Sequence, residues 1–319
     1  MTTLVRPPVL QRVGGGGVVA AFAAVYVIWG STYFFIKVAV ETLPPLLMSG
    51  VRFLIAGAVL LAVTSRMRGA ARDPIGWRQW RATAITGALL LLGGNGGVAF
   101  GEQYVPSGVV ALEVATVPLF IALFGAVVLG RRLGRIAVGG IVIGLLGTAV
   151  LIRPGAGGGG DVGHMLLVLA SPLSWAIGSL YATRGPLPKR ALVATGMEML
   201  CGGALLLVAG LLTGEGSAVH LGQVSVASWL SVLYLIVVGS LVAFSAYVWL
   251  LTKVPTTAVA TYAYVNPLVA VLLGWAFLGE RITGQTLIAA SLILVAVAVI
   301  LTQPPAVARA APAPRADVV

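Results

Sequence analysis

Charge is scarce in this sequence: of its 319 residues only 9% are Asp, Glu, Lys or Arg, and nine residues are acidic. A soluble globular domain carries about 25% charged residues, so that class is excluded. Histidine is nearly absent as well, with His164 and His220 at the edges of apolar stretches. No metal-spaced cluster and no nucleophile beside a base can be read, so an enzyme, including one acting on a lipid-linked substrate, is disfavoured and no cofactor is expected. No Walker A motif occurs, which argues against direct ATP hydrolysis. The one cysteine, Cys201, allows no internal disulfide and reads as a small packing residue.

What is abundant is apolar: 59% of residues are hydrophobic and the mean hydropathy is +1.04. The formal net charge of +11 comes from arginines in short runs between apolar segments. That arrangement suits anionic lipid headgroups rather than nucleic acid, which is not expected as a partner. The N-terminal MTTLVRPPVLQRVGGGG leads into an apolar stretch without a small-residue cleavage site. The stretch is long enough to cross a hydrocarbon core that takes roughly 20 helical residues, so it reads as a retained first helix rather than a signal peptide.

Apolar runs of spanning length predict ten transmembrane helices: Val18 to Val40, Leu46 to Thr64, Ala82 to Tyr104, Ser107 to Leu129, Ile136 to Ile152, Gly163 to Thr183, Ala191 to Thr213, Ser228 to Leu251, Thr257 to Leu278 and Thr283 to Thr302. The predicted fold is therefore an all-α membrane protein, with a cytoplasmic segment over 1–17, helical units at 18–152 and 163–302, a flexible linker from Gly155 to Asp161 and a disordered cytoplasmic tail over 303–319. With the N-terminus inside, sixteen of the twenty Lys and Arg fall in cytoplasmic segments, leaving Lys37, Arg52, Arg153 and Arg281 elsewhere. The bias supports both the orientation and the count, since one missed helix would invert every later loop.

The two units are related. A shift of 149 residues lays VPSGVVALEVATVPLFIALFGAVVLGRR, from Val105, over VPTTAVATYAYVNPLVAVLLGWAFLGER, from Val254, matching Pro106 with Pro255, Pro118 with Pro267, Gly125 with Gly274 and Gly130 with Gly279. A shift of 146 lays Gly50, Leu54, Gly57 and Ala58 over Gly196, Leu200, Gly203 and Ala204. Each unit has five helices, an odd number, so the second enters the membrane upside down relative to the first. Inverted repeats of this kind let one state face inward and its mirror state face outward, which points to a transporter; a scaffold protein would leave them without a purpose.

The WGSTYF run at Trp29, VRF at Val51, GNG at Gly94, VPSG at Val105, YAYVNP at Tyr262 and LGER at Leu278 together resemble the EamA-domain family of the drug/metabolite transporter superfamily. The resemblance covers both halves, from Val18 to Thr302. It implies a ten-helix exporter of metabolites or drug-like compounds in a bacterial inner membrane, its central cavity lined chiefly by helices 1, 3, 4, 6, 8 and 9. In one departure the first half carries Arg131 where many members have the glutamate that the second half keeps as Glu280, which weakens a role for this acidic position on the cytoplasmic side.

Candidate solute contacts are Trp29, Ser31, Thr32 and Tyr33 in the first helix and Trp175, Ser179 and Tyr181 in the sixth, where rings and hydroxyls suit a moderately apolar or aromatic solute. Asn95 in the Gly93–Gly97 run, Thr116, Tyr247, and Tyr262 with Asn266, four apart on one helix face, complete the set. Pro118 and Pro267 each free a backbone carbonyl at equivalent places, as a hinge would need. Gly140 and Gly144 form a small-residue face for packing or self-association, so a homo-oligomer stays open. Arg52, Glu113 and Glu198 are charges within spans and must be paired or hydrated. Depth places Arg52 and Glu113 each roughly 9 Å inside the outer face and Glu198 roughly 10 Å inside the inner one, so depth pairs Arg52 better with Glu113 than with Glu198, the choice between them staying open, and a permanent pair would make Glu113 structural. Glu113 is the candidate for coupling transport to protons, and Lys37 is expected to snorkel to the headgroups. The partners expected are thus a small-molecule solute, the lipid bilayer and the proton.

Overall fold

The structure is a computed structural model describing residues 15–66, 75–130, 133–153 and 161–302. The N-terminal segment, most of the expected linker, the C-terminal tail and several basic loop residues, Arg131 among them, lie outside the described residues. Ten helical spans follow in order: α1 (Gly15–Ala39), α2 (Pro45–Arg66), α3 (Trp77–Gly101), α4 (Ser107–Val114, then Val117–Leu129), α5 (Arg135–Ile152), α6 (Val162–Ala182), α7 (Ala191–Leu212), α8 (Val226–Leu251), α9 (Thr256–Val259, then Tyr262–Leu278) and α10 (Gly284–Leu301). Among the described residues nine are long and apolar enough to cross a membrane, and the uninterrupted part of α9 is shorter.

Most boundaries fall within two residues of expectation. The largest departure is α3, which begins five residues before Ala82, at Trp77, and ends three before Tyr104, at Gly101; α1 begins three residues early, at Gly15. Its first turns, WRQWR, are too polar for the hydrocarbon core. Trp77 and Trp80, both exposed, give them the composition of a membrane interface, while the Gln79 side chain accepts from Gly76 N at 3.0 Å to cap the start. The chain folds into helices because lipid offers no partner for backbone N–H and C=O groups.

The packing repeats itself between the halves. α2 lies along α7 and α5 along α10, each helix beside its own counterpart; α1 packs on α9 and α8 as α6 packs on α4 and α3. Glycine makes these contacts close. A Cβ on Gly203 would meet Leu54 N at 2.8 Å and Gly50 O at 3.0 Å, and a Cβ on Gly147 would meet Leu292 and Ile293 of α10 at 2.9 and 3.0 Å. Between apolar helices in lipid there is no hydrophobic drive, so such backbone approach supplies the dispersion contacts that hold them. Gly140 and Gly144 face α10 as well, so the small-residue face of α5 is occupied within the chain.

Gly130 and Gly279, matched by the 149-residue shift, both adopt positive φ (60° and 67°) at the ends of α4 and α9, and each donates its N–H to a matched glycine carbonyl, Gly125 or Gly274. An L side chain is strained there, which explains glycine in both LG turns. The face at which α1 begins and α10 ends is the termini face, and the opposite one is the far face.

Candidate functional site

A cavity of about 1550 Å³ lies between the halves. Its mouth is at the termini face, where Leu133, Thr183, Leu251 and Leu301 line it; toward the far face it ends near Ile36, Arg52 and Val98. The volume exceeds the roughly 300–1,000 Å³ of an ordinary ligand pocket, leaving space for water around a solute.

Two tryptophans wall the middle, and the backbone bends to receive each. α3 and α8 widen into turns with i→i+5 bonding over Ala88–Gly96 and Leu235–Val242, occupying similar places in the two repeats. Such bulges recur at functional sites because they displace one helix face. Trp29 of α1 donates its indole N–H to the Gly239 carbonyl in the α8 bulge at 3.3 Å. Trp175 of α6 lies against the α3 bulge, where a Cβ on Gly94 would stand 2.6 Å from its ring. The glycine run of α3 therefore makes room for α6. Around Trp29 the rings of Phe244, Tyr247 and Tyr262 each lie 5.1 Å away, centroid to centroid, in tilted or edge-on geometry.

Helical phase decides which candidates reach the cavity. Thr32, Tyr33, Asn95, Ser179, Tyr247, Tyr262 and Asn266 line it with the two tryptophans, as do Pro118 and Pro267. Ser31, Thr116 and Tyr181 do not. Ser31 is rotated away from Trp29 and Tyr33 and bonds the Tyr234 hydroxyl at 2.8 Å; Thr116 bonds back to the Glu113 carbonyl at 2.5 Å; Tyr181 is out of phase with Trp175 and Ser179 and packs near Gly185. The matched prolines also differ: α4 breaks at Ala115 and Thr116, just before Pro118, whereas Pro267 sits inside a continuous stretch and α9 breaks earlier, at Ala260 and Thr261. Asn266, oriented so that its amide nitrogen donates, reaches the carbonyls of Tyr26 and Tyr262 at 3.1 and 3.2 Å.

The charges are arranged otherwise than depth suggested. Arg52 and Glu198, equivalents in the repeat, both line the cavity. Arg52 donates from Nε to Ser240 Oγ at 3.0 Å within the α8 bulge and lies 4.7 Å from the centre of the Phe53 ring. Glu198 lies beside Thr86 of α3. Glu113 does not reach the cavity: it is fully buried and both its oxygens lack a hydrogen-bond partner. Arg52 makes no ion pair with it; its acidic neighbour is Glu102, at the end of α3, which the sequence reading passed over. Lys37 does not snorkel outward but donates to the carbonyls of Glu102 and, at 3.2 Å, Val105. Phe244 was passed over too, although it stands three residues before Tyr247 and so shares its helix face.

Comparison with known proteins agrees with this architecture. The description "EamA-like transporter family" matches the chain twice, over residues 16–153 and 163–302. The "Uncharacterized inner membrane transporter YedA" of Escherichia coli (strain K12) is 41% identical over 281 residues, covering 88% of this chain and 89% of that one. A protein of the same organism named "Probable amino-acid metabolite efflux pump" is 27% identical over 279 residues, 85% of this chain and 90% of the other. A crystal structure with 25% sequence identity superposes with a TM-score of 0.58, covering 89% of this chain and 96% of its own.

Proposed function

This chain belongs to the EamA-like transporter family, and on that premise we propose that it exports a small organic solute across the inner membrane by alternating access. The observation that carries the reading is the cavity walled by matched elements of both repeats, with its mouth at one face. The positive-residue bias makes the termini face cytoplasmic, so the conformation described is inward-open and loads solute from the cell interior.

The lining supports a solute class. Arg52 stands toward the closed end and Glu198 toward the mouth, and the rings of Trp29, Trp175, Tyr247 and Tyr262 line the same cavity. A cation, an anion and several aromatic rings on the wall of one cavity suit a compact solute bearing both signs of charge and an apolar or aromatic body, as amino acids and their derivatives do. The efflux relative whose name refers to amino-acid metabolites supports the same class.

The test is uptake of radiolabelled amino acids and their neutral amide derivatives into inverted membrane vesicles containing the protein. Saturable uptake of zwitterions bearing apolar side chains, competed poorly by the amides, is expected. Uptake indistinguishable from vesicles lacking the protein across the panel would overturn the solute class.

A further inference from the structure

The two ends of the cavity are built from the same repeat positions but from different chemistry. At the far face, Glu280 folds back from the turn after α9 and its carboxylate accepts from Ser107 N at 2.6 Å and Gly108 N at 3.1 Å, the first free N–H groups of α4. Gly274 is what lets it do so: a Cβ there would collide with Glu280 Oε2 and Cδ. Beside this cap, Lys37 of α1 ties down the carbonyls of Glu102 and Val105, and the wholly buried Glu102 carboxyl lies within electrostatic reach of Lys37, Arg52 and Glu280. Three elements of the far end, α1, the α3–α4 connection and the end of α9, are thereby fastened through charge-assisted hydrogen bonds.

The repeat relation gives the matching positions at the termini face. The 146-residue shift that matches Trp29 with Trp175 takes Lys37 to Thr183, and the 149-residue shift takes Glu102 to Leu251, Gly274 to Gly125 and Glu280 to Arg131. Thr183, Leu251 and Gly125 all line the open cavity. An arginine carries donors only, so Arg131 cannot accept from Thr256 and Thr257 N–H, the matches of Ser107 and Gly108. The sequence thus places neither a lysine nor a carboxylate at the matching positions of the near end, where Thr183, Gly125 and Leu251 line the cavity.

We propose that Glu280, seated in the notch left by Gly274 and seconded by Lys37, is the latch of the far gate, and that its replacement by Arg131 in the other repeat leaves the near gate without one. Free of solute, the transporter rests open at the termini face, and each cycle must release the Glu280 carboxylate from the start of α4 before the far face opens. This inference rests on the alternating-access reading above, but it concerns the balance of the two states rather than the solute.

Its test is site-directed labelling, which needs no solute. In a Cys201→Ala background, Ile36→Cys reports the far end and Ser179→Cys the near end, each probed with a membrane-impermeant maleimide from its own face. Glu280→Ala is expected to raise Ile36→Cys labelling from the far face by roughly tenfold or more, since it removes the two charge-assisted hydrogen bonds from Ser107 N and Gly108 N. Arg131→Glu, which restores the missing acceptor, is expected to slow Ser179→Cys labelling from the termini face by a similar factor. An unchanged rate in either well-expressed variant overturns the proposal. Should Glu280→Ala fail to accumulate, Arg131→Glu alone decides, because it removes nothing from the far gate. Vesicles that take up no solute while both labelling shifts occur would count against the transport reading and leave the latch standing.

Discussion

Gly57 and Gly196 face each other across the crossing of α2 and α7 so closely that a Cβ on Gly57 would stand 2.8 Å from the Gly196 carbonyl oxygen. The partner pair, Gly50 and Gly203, repeats the contact one turn of symmetry away, so one crossing is made twice from the same duplicated residues. Gly203→Val must push the two backbones apart and is expected to cost about 1–3 kcal/mol, as overpacking does. Thermal unfolding in detergent checks this. Gly139→Val, where nothing lies within 4 Å of the added Cβ, serves as the control and should leave the midpoint unchanged.

The aromatic cluster yields a prediction that separates lining from structure. Trp29 touches three other rings, each pair worth about 0.5–1.5 kcal/mol beyond its buried area, while Ser31, two residues on, bonds Tyr234 away from the cavity. Trp29→Ala should raise the transport KM about tenfold or more, Trp29→Phe should restore most of it, and Ser31→Ala should move it little. Equal effects of Trp29→Ala and Ser31→Ala on KM would remove the cluster from the solute path.

How much of this was legible in the sequence depended on what the signal was. The ten spans follow from length and hydropathy alone, and the repeat follows from matched prolines and glycines, because both are properties of the chain before it packs. Which side of a helix faced the cavity was only partly legible. Trp29, Tyr33 and Tyr247 stand out as large rings, but Ser31, Thr116 and Tyr181 required the helical phase that packing sets. Partnerships between distant charges were not legible. Arg52 and Glu113 sit at similar depth, yet Arg52 bonds Ser240 of α8, and the carboxylate whose charge it feels is Glu102 at the end of α3 rather than Glu113 of α4. Lys37 looked like a headgroup anchor for the same reason: the carbonyls it fastens belong to a loop 65 residues away. The widened turns in α3 and α8 left no mark that periodicity could detect.

Orientation gives the third prediction. If the sixteen basic residues mark the cytoplasm, Gly158→Cys between the repeats is labelled by an impermeant maleimide in intact cells and Arg72→Cys, in the connection between α2 and α3, is not. Both lie outside the described residues, so the outcome depends on the span count and not on any contact. Labelling at Arg72→Cys would invert the topology and with it the face from which the cavity loads.

If transport is coupled to protons, Glu198 rather than Glu113 is the carboxylate placed to carry them. A group that carries protons must meet water on each side in turn, and Glu198 lines the open cavity, whereas Glu113 is enclosed in α4 with neither cavity access nor a hydrogen-bond partner. Because Arg52 is bonded to Ser240 and not to Glu113, Glu113→Gln removes no ion pair, and Arg52→Gln has nothing to rescue in that background. Glu113→Gln is therefore expected to accumulate normally and to keep its response to a pH gradient. Glu198→Gln is expected to exchange solute across the membrane in the absence of a gradient at near the parent rate, yet to gain nothing when a gradient is imposed, since exchange needs only the conformational cycle and accumulation needs the proton. The two variants are compared in the same vesicles, with and without the gradient. Should the gradient still accelerate uptake through Glu198→Gln but not through Glu113→Gln, the proton would pass through the closed side of α4, and the cavity would carry the solute alone.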